Sequence, residues 1–388
     1  MRVLFDIKTT QKFVGGASEY IRKVFYTLLD YSKDQNKQIT IVGLVDSSIN
    51  NFAYLDLSPK SLLEKGVEVV DLADASLEKI VKEKQIDRIF IGCGQAWKSL
   101  DLNTVKCPII CVIHDLWSEE FHSNHLMEFL LLNNYSNLKY NLHRLKQMFQ
   151  KESAEEGVRE MMRCLSSNPC ARIITVSNYS KTSIKYNYGF PEDRISVLYA
   201  PKRISKIENV INNPDLNDLL VEGKKFYLMV STDRITKNAD KAIRAFKKFI
   251  EHTGNDAFLV TVGYKKKKLF AQQIILPYLS ESDLAYAMEG CYAFVYPSII
   301  EGFGYPPVEA MAAGKPILCS NVTSIPEITG DASIQFSPFY ESDIFKALTS
   351  LNDDNYLHYQ EASRERFKIV NKRQEEDLCK LVELLTND

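Results

Sequence analysis

Two glutamates flank a glycine-bearing turn toward the end of the chain, and they are the residues best suited to chemistry. Glu301 and Glu309 lie in a stretch that reads YPSIIEGFGYPPVEAMAAGKP from Tyr296 onward. An apolar strand is predicted to end at Tyr296. The paired prolines and Gly314 predict a short helix behind the turn, because proline suits a first helical turn and glycine the position after a helix end. Glu301 is therefore expected in the loop after a strand, and Glu309 in the first turn of the helix.

This turn could hold a phosphate-linked sugar. A helix start carries unpaired N–H groups, and Gly302 and Gly304 would let a ligand approach the backbone closely. Two carboxylates are a poor choice for binding phosphate alone, but they accept hydrogen bonds from sugar hydroxyls on either side of it. Either glutamate by itself would be interpreted as a helix cap beside a turn. Their combination favours the ligand site.

A basic pair follows the predicted strand Lys225–Ser231. Arg234 and Lys237 are three positions apart, just before a predicted helix that begins at Asn238. An arginine fork and a lysine point charge at a strand end can both face one diphosphate. The alternative is two exposed basic residues with Asn238 as a helix cap. The position of the pair, two strands ahead of the glutamates, favours the diphosphate.

Two further patterns lie in the first half of the chain. Gly15 and Gly16 follow the predicted strand Arg2–Ile7 and precede a helix, where a glycine pair permits close approach of a phosphate. An ordinary strand–helix turn is the alternative. The pattern GxGxxG is absent there, so a nicotinamide cofactor is not indicated. His114 ends the predicted strand Ile109–His114, a position where a lone histidine is more often structural than catalytic.

No metal site is expected in this chain. His114, Glu119, His122 and His125 could supply ligands, but their spacing matches no compact metal motif. The eight cysteines form no C-x-x-C pair, and most lie in apolar runs. That pattern is typical of buried free thiols in a reducing compartment, not of a disulfide framework or a zinc site.

The elements that must position these residues alternate along the chain. Short apolar runs give seven predicted strands between residues 2 and 199 and six between 225 and 336, with amphipathic helices between them. Such alternation predicts two doubly wound parallel sheets, each with helices on both faces. Ligands of such sheets bind at the carboxyl ends of the strands, and between two such domains they bind in the cleft.

A polar bridge, residues 202–222, separates the two halves and is interpreted as the linker. The predicted domains are residues 1–201 and 202–365, with a C-terminal helix over 366–388 that packs back on the first domain. Residues 118–168 form a long helical insertion after His114. Its place in the sequence suggests that it shapes acceptor binding; a helical layer that only covers the sheet is the alternative.

Composition excludes several classes of protein. The 388 residues carry a net charge of −2, with 45% hydrophobic and 25% charged residues. This balance is typical of a globular chain, and near neutrality gives no global field for nucleic acid. The N-terminus turns acidic too soon for a signal peptide, and no apolar run is long enough for a membrane span. A cytoplasmic protein, at most peripheral to a membrane, is expected.

The stretch from Tyr296 to Pro316 resembles the E-x7-E motif of retaining glycosyltransferases of family 4, also called glycosyltransferase group 1. Those enzymes have the GT-B architecture, in which two Rossmann-like domains face each other across a cleft. The resemblance is firm from about residue 225 to 348. One departure is Thr232, where many members place the arginine of the basic pair. Another is a shortened segment between Gly263 and Ile274, which leaves the choice of nucleotide open.

The resemblance implies a role for each site residue. Glu301 would contact the hydroxyls of the transferred sugar, Glu309 the ribose, and the amides around Phe303 and Gly304 a phosphate or sugar. By the same resemblance, Arg234 and Lys237 would neutralise the departing diphosphate, the Gly15-Gly16 loop would lie near the donor phosphate and the acceptor, and His114 would face the donor sugar.

The function implied is transfer of a sugar from a nucleotide diphosphate sugar to a hydroxyl acceptor, with retention of configuration and without a metal cofactor. The acceptor would be a glycan, a polysaccharide or a lipid-linked saccharide, as in polysaccharide biosynthesis, and the enzyme could associate with the inner face of a membrane. Two alternatives stay open: a catalytically silent protein that binds nucleotide sugars, and a nucleotide-sugar epimerase.

Overall fold

A computed structural model of the chain describes residues 1–12, 15–34, 38–49, 52–97, 102, 104–116, 119–120, 158–203 and 210–387. These residues form two compact units. The first contains the described residues up to 203 together with 373–387, and the second contains 210–372. Each unit has its own parallel sheet.

The first unit is built on seven parallel strands in the order β3-β2-β1-β4-β5-β6-β7. The strands are β1 (Arg2–Asp6), β2 (Thr40–Val45), β3 (Glu68–Asp71), β4 (Arg88–Ile91), β5 (Ile109–Ile113), β6 (Ala171–Thr175) and β7 (Ile195–Val197). The helices are Thr9–Lys12, Gly16–Ser32, Pro59–Glu64, Leu77–Glu83, residues 158–167 and Asn178–Tyr188. All five residues of β5 are buried, as expected for a strand covered on both faces.

The second unit has six parallel strands in the order β10-β9-β8-β11-β12-β13. The strands are β8 (Phe226–Met229), β9 (Phe258–Val262), β10 (Gln273–Leu276), β11 (Ala293–Tyr296), β12 (Ile317–Ser320) and β13 (Ser333–Phe336). The helices are Pro214–Val221, Ala239–Thr253, Glu281–Gly290, Tyr305–Ala312, Ile325–Thr329, Glu341–Ser350 and Asp353–Thr386. Aromatic packing joins sheet and helix, with the rings of Tyr227 and Phe246 meeting edge to face at 5.1 Å.

Both sheets reverse their strand order once, and these reversals decide where ligands can bind. The reversal lies between β1 and β4 in the first sheet and between β8 and β11 in the second. Ligands of open parallel sheets bind at the carboxyl ends of the strands at such a point. The predicted fold class of two Rossmann-like parallel sheets is therefore confirmed, and its switch points mark two places to look for function.

The predicted linker is wrong in one respect, because it contains the helix Pro214–Val221. Asn213 accepts a hydrogen bond from the backbone N–H of Leu216 at 2.9 Å, and Pro214 occupies the first helical position. The Asn-Pro pair is thus a helix start rather than a loop. Leu216 and Leu219 are buried, and they attach this helix to the second unit.

The last helix, Asp353–Thr386, is one continuous element of 34 residues. In the second unit, Ser363 donates a hydrogen bond to the carbonyl of Lys315 at 2.7 Å. In the first unit, Gln374 donates to the carbonyl of Ala200 at 2.5 Å. Residues of one helix therefore belong to both units.

The cysteines are free, and the expectation of buried thiols is wrong for Cys379, which is exposed on the last helix. Of the predicted insertion, residues 119–120 and 158–167 are described and helical, whereas His122 and His125 lie outside the described residues. Among the helices of the described ranges, none combines the length and apolar composition that crossing a membrane requires.

Candidate functional site

The loop after β8 places Lys237 at the switch point of the second sheet. Lys237 ends the short 3-10 turn Ile235–Lys237, just before the helix Ala239–Thr253. Asn238 adopts a left-handed backbone with φ 52°, and its side chain donates to the carbonyl of Pro338 at 2.8 Å instead of capping the helix. Asn238 therefore occupies the N-cap position, as the alternative has it, but its side chain does not cap the helix. The turn directs Lys237 toward the end of β11.

Lys237 and Glu301 form a buried ion pair. The Lys237 Nζ lies 2.5 Å from Glu301 Oε1 and also donates to the hydroxyl of Tyr296 at 2.7 Å. The Ser298 hydroxyl donates to the same Oε1 at 2.5 Å. The side chains of Lys237 and Glu301 are only 9% and 15% exposed. The structure thus joins two residues that the sequence reasoning had assigned to different parts of a ligand.

Electrostatics keep Glu301 ionised. Burial alone would raise the pKa of Glu301, but the ammonium of Lys237 and the hydrogen bonds from Lys237, Ser298 and Tyr296 outweigh it, and the pKa lies below its usual value. An ionised carboxylate only accepts hydrogen bonds, which suits the hydroxyls of a sugar. Where the structure describes the chain, Lys237 uses two of its three N–H groups on these partners, which leaves one for a ligand oxygen.

The loop that carries Glu301 is anchored by two residues that follow β12. The Thr323 hydroxyl accepts from the backbone N–H of Glu301 at 3.2 Å. The Ser324 hydroxyl donates to the carbonyls of Glu301, at 2.9 Å, and Phe303, at 3.2 Å. Thr323 is held in the left-handed region with φ 58°. This backbone is unfavourable for a β-branched residue, and strain of this kind accumulates at functional sites.

The helix behind the turn differs from its prediction. It begins at Tyr305, so Glu309 is its fifth residue and lies in the second turn instead of the first. Gly304, with φ 94°, needs its glycine at the N-cap position. Since Pro306 and Pro307 have no N–H, the predicted phosphate cradle is reduced to the N–H groups of Gly304 and Tyr305. Gly302 and Phe303 are buried within the turn.

Arg234 lies beside Lys237 in sequence but not in contact with Glu301. Its side chain is exposed, and in the described part of the chain it pairs with no carboxylate. It lines a cavity of about 80 Å³ between the loops that follow β8 and β9. Of the lysine run 265–268, Lys265 pairs with Asp233 at 3.2 Å and Lys266 with Asp240. Arg234 is therefore a cation available to an anion at this edge of the sheet.

The first unit holds His114 after β5, against the residue that follows β4, a strand that borders the switch point. The ring Nε2 lies 3.0 Å from the carbonyl oxygen of Gly92, and Tyr20 packs edge to face on the imidazole at 5.0 Å. Burial lowers the pKa of His114 to about 4, although the hydrogen bond to Gly92 acts in the opposite direction. His114 is therefore neutral at pH 7 and cannot serve as a counter-ion for phosphate.

We expect an NMR titration of His114 to give a midpoint near pH 4, well below the ordinary value of 6.5. The reason is that burial in the folded protein removes hydration from the charged imidazole and so favours its neutral form. A midpoint for His114 near that of a free imidazole would contradict its burial.

Gly15 and Gly16 start the helix Gly16–Ser32. Gly15 is extended, and a Cβ placed there would meet no atom within 4 Å. As far as the described residues go, sterics therefore do not require glycine at this position, and the space beside it is open. The sequence alone indicates no role for Tyr296 and Ser298, which contact the ion pair, or for Asp6, a buried carboxylate that ends β1. A polar side chain at the end of an apolar strand was the available signal for Asp6 and Tyr296.

Most of the second unit matches the model of a known protein family. Residues 215–370 match the model of the family described as Glycosyl transferases group 1. The match confirms the resemblance drawn from the stretch around Glu301 and Glu309. It covers Arg234 and Lys237 as well.

Relatives and solved structures agree with that match. O-antigen chain mannosyltransferase B of Escherichia coli is 31% identical over 225 residues, which cover 52% of this chain and 58% of that protein. O-antigen chain mannosyltransferase RfbU of Salmonella typhimurium is 26% identical over 179 residues, which cover 45% and 49%. The chain thus spans about half the length of these relatives. The crystal structure of WaaG, a glycosyltransferase involved in lipopolysaccharide biosynthesis, superposes over the full length of both chains with a TM-score of 0.66 at 15% identity, which shows the fold.

Proposed function

We propose that this chain, whose residues 215–370 match the model of the group 1 glycosyl transferases, moves a sugar from a nucleotide diphosphate sugar to a hydroxyl acceptor. The observation that carries the proposal is the buried pair of Lys237 and Glu301 at a switch point. The pair places a cation that can bind phosphate beside a carboxylate that can accept hydrogen bonds from sugar hydroxyls. A sugar joined to a diphosphate presents both groups to such a pair.

The sugar that we propose is mannose, and the acceptor is a saccharide chain. The support is that both relatives described above are named O-antigen chain mannosyltransferases. An acceptor that grows on a lipid carrier or within a polysaccharide would fit those names.

The chemistry requires charge to be stabilised as the diphosphate departs. Lys237 and Arg234 would supply fixed positive charge, and the N–H groups of Gly304 and Tyr305 would add dipoles, so that little reorganisation is needed in the transition state. Glu301 would orient the sugar through its hydroxyls, and Glu309 would bind the ribose. The space beside Gly15, at the start of the helix Gly16–Ser32, would admit a phosphate or the acceptor.

Retention of configuration is part of this proposal. Asp6, at the carboxyl end of β1, is buried and already accepts four hydrogen bonds, which does not suit a nucleophile. We therefore favour attack by the acceptor hydroxyl on the face that the diphosphate leaves, with the departing phosphate taking the proton. NMR of the product linkage, compared with that of the donor, tests this step.

Transfer should persist when EDTA is present, because Lys237 and Arg234 supply positive charge beside the diphosphate. The measurement is the initial rate with and without excess chelator. A rate that collapses in EDTA and returns with Mg²⁺ or Mn²⁺ would contradict this prediction while leaving the reaction class intact.

Purified protein incubated with nucleotide diphosphate mannose and a mannose-terminated acceptor tests the function. We expect mannosyl transfer, and a loss of about 100-fold in Glu301→Gln, which keeps the shape of the side chain but removes the charge that Lys237 and the sugar need. Glu289→Gln, at an exposed site, is the matched control and should keep full activity. Conversion of the donor without acceptor would indicate an epimerase. Binding of the donor without any reaction would indicate a silent protein.

A further inference from the structure

Asp6 is a buried carboxylate at the switch point of the first sheet. It ends β1 and is 1% exposed. Its Oδ1 accepts from the backbone N–H of Thr9 at 3.0 Å. Its Oδ2 accepts from the Thr9 hydroxyl at 2.6 Å, from Trp97 Nε1 at 3.1 Å and from the backbone N–H of Gly92 at 3.2 Å. A buried carboxylate with this many fixed donors holds the groups around it in place.

Gly92 links Asp6 to His114. Its N–H donates to Asp6, and its carbonyl accepts from the imidazole. A Cβ built on Gly92 would lie 2.2 Å from Cγ1 of Ile21, which is fully buried on the helix Gly16–Ser32. The backbone of Gly92 is therefore closely packed on one side and hydrogen-bonded on the other, with little freedom to move.

This arrangement determines where the proton of His114 resides. A carbonyl oxygen cannot donate, so the nitrogen that faces Gly92 must carry the hydrogen. In a neutral imidazole the other nitrogen, Nδ1, is then an acceptor. Among the described residues Nδ1 has no hydrogen-bond partner, and Tyr20 restrains the ring from its side.

We propose that Asp6 is a positioning residue for His114: through Gly92 it holds the imidazole as the Nε2–H tautomer and leaves Nδ1 as an acceptor for a substrate hydroxyl. The identity of the hydroxyl as that of a sugar rests on the proposed function. The tautomer does not. Backbone carbonyls and carboxylates fix histidine tautomers in the same way around bound metals.

Labelled-histidine NMR of the whole protein tests the tautomer without any substrate. At pH 7 we expect the ¹⁵N pattern of the Nε2–H form for His114. The opposite Nδ1–H pattern would overturn the proposal, whether or not the protein transfers a sugar. Absence of transfer with the expected pattern would overturn only the proposed function.

Asp6→Asn tests the link through Gly92. An amide has one oxygen instead of two and carries no charge, so it accepts more weakly from Trp97 and Gly92 even where its oxygen faces them. The hold on Gly92 therefore weakens, and both tautomers of His114 should appear. Trp97→Phe is the control, because it removes one donor to Asp6 without touching Gly92 and should leave the single tautomer. If Asp6→Asn does not fold, Asp6→Ser tests the same link, because the shorter serine side chain cannot reach the N–H of Gly92. A single Nε2–H tautomer in the folded Asp6 variant would overturn the positioning role.

Two variants of His114 distinguish the contributions of its two ring nitrogens in the transfer assay. The amide of His114→Asn lies near the place of Nδ1, whereas that of His114→Gln reaches toward Nε2 and Gly92. If Nδ1 contacts the substrate, the Asn variant should retain about tenfold more activity than the Gln variant, the effect of one hydrogen bond to a substrate hydroxyl. Equal activities, or the opposite order, would overturn the role of Nδ1.

Discussion

Lys237→Met should reduce transfer by about 100-fold or more and should lower the free energy of unfolding by about 3 kcal/mol. The first effect follows from the loss of the cation proposed to stabilise the departing diphosphate. The second follows because Glu301, 15% exposed, would keep a buried charge without its partner. Initial rates with saturating acceptor and urea denaturation measure the two quantities separately.

A second substitution separates stability from activity at this pair. Lys237→Met combined with Glu301→Gln removes both charges, so most of the lost stability should return while transfer stays lost. Tyr296→Phe keeps the ring that lies beneath the ammonium, at 4.7 Å, and removes only the hydroxyl, so it should cost about 1 kcal/mol. If Lys237→Met alone were as stable as the unchanged protein, the buried ion pair would be contradicted. If that variant kept full transfer activity, the role of Lys237 in the reaction would be contradicted.

Asp377→Ala should destabilise the first unit by about 3 kcal/mol. Asp377 is 3% exposed on the last helix and accepts from the backbone N–H of Tyr199 at 2.9 Å. It also accepts from Arg373 at 3.2 Å and Lys380 at 3.0 Å. Truncation leaves a buried N–H without an acceptor and two cations without a counter-ion. Thermal or urea unfolding measures the loss.

Two further substitutions serve as comparisons for Asp377→Ala. Asp377→Asn keeps an oxygen for the N–H of Tyr199 and should cost less than the alanine variant. Glu365→Ala, on the same helix, breaks only an ion pair with Lys368. The side chains of Glu365 and Lys368 are 61% and 68% exposed, so this change should alter the free energy of unfolding by less than about 0.5 kcal/mol. If Glu365→Ala cost as much as Asp377→Ala, the helix itself rather than the buried carboxylate would be responsible.

Local patterns were enough to predict both sheets. Each strand is a short apolar run bounded by polar or glycine-bearing segments, as in Ala293–Tyr296, which ends at Tyr296 as predicted. Pro306 and Gly314 marked the helix behind the turn because their backbone preferences are local. The residues of the candidate donor site could be predicted for a related reason: they lie in loops after strands that meet at a switch point.

Contacts across long stretches of chain could not be predicted. Lys237 and Glu301 are 64 positions apart, and nothing in either loop indicates that the two side chains pair. Asp6 and Gly92, 86 positions apart, present the same difficulty. The helix Pro214–Val221 was missed for another reason, since Asn213 and Pro214 are equally typical of turns and of helix starts, and only the burial of Leu216 decides between them.

The left-handed backbone of Thr323 has a consequence for engineering. Holding a β-branched residue at φ 58° costs about 1–2 kcal/mol, which Thr323→Gly would relieve. The same change deletes the hydroxyl that accepts from Glu301. A screen that selects variants for heat tolerance alone would therefore favour glycine here and collect slow catalysts, so such a library should hold position 323 constant.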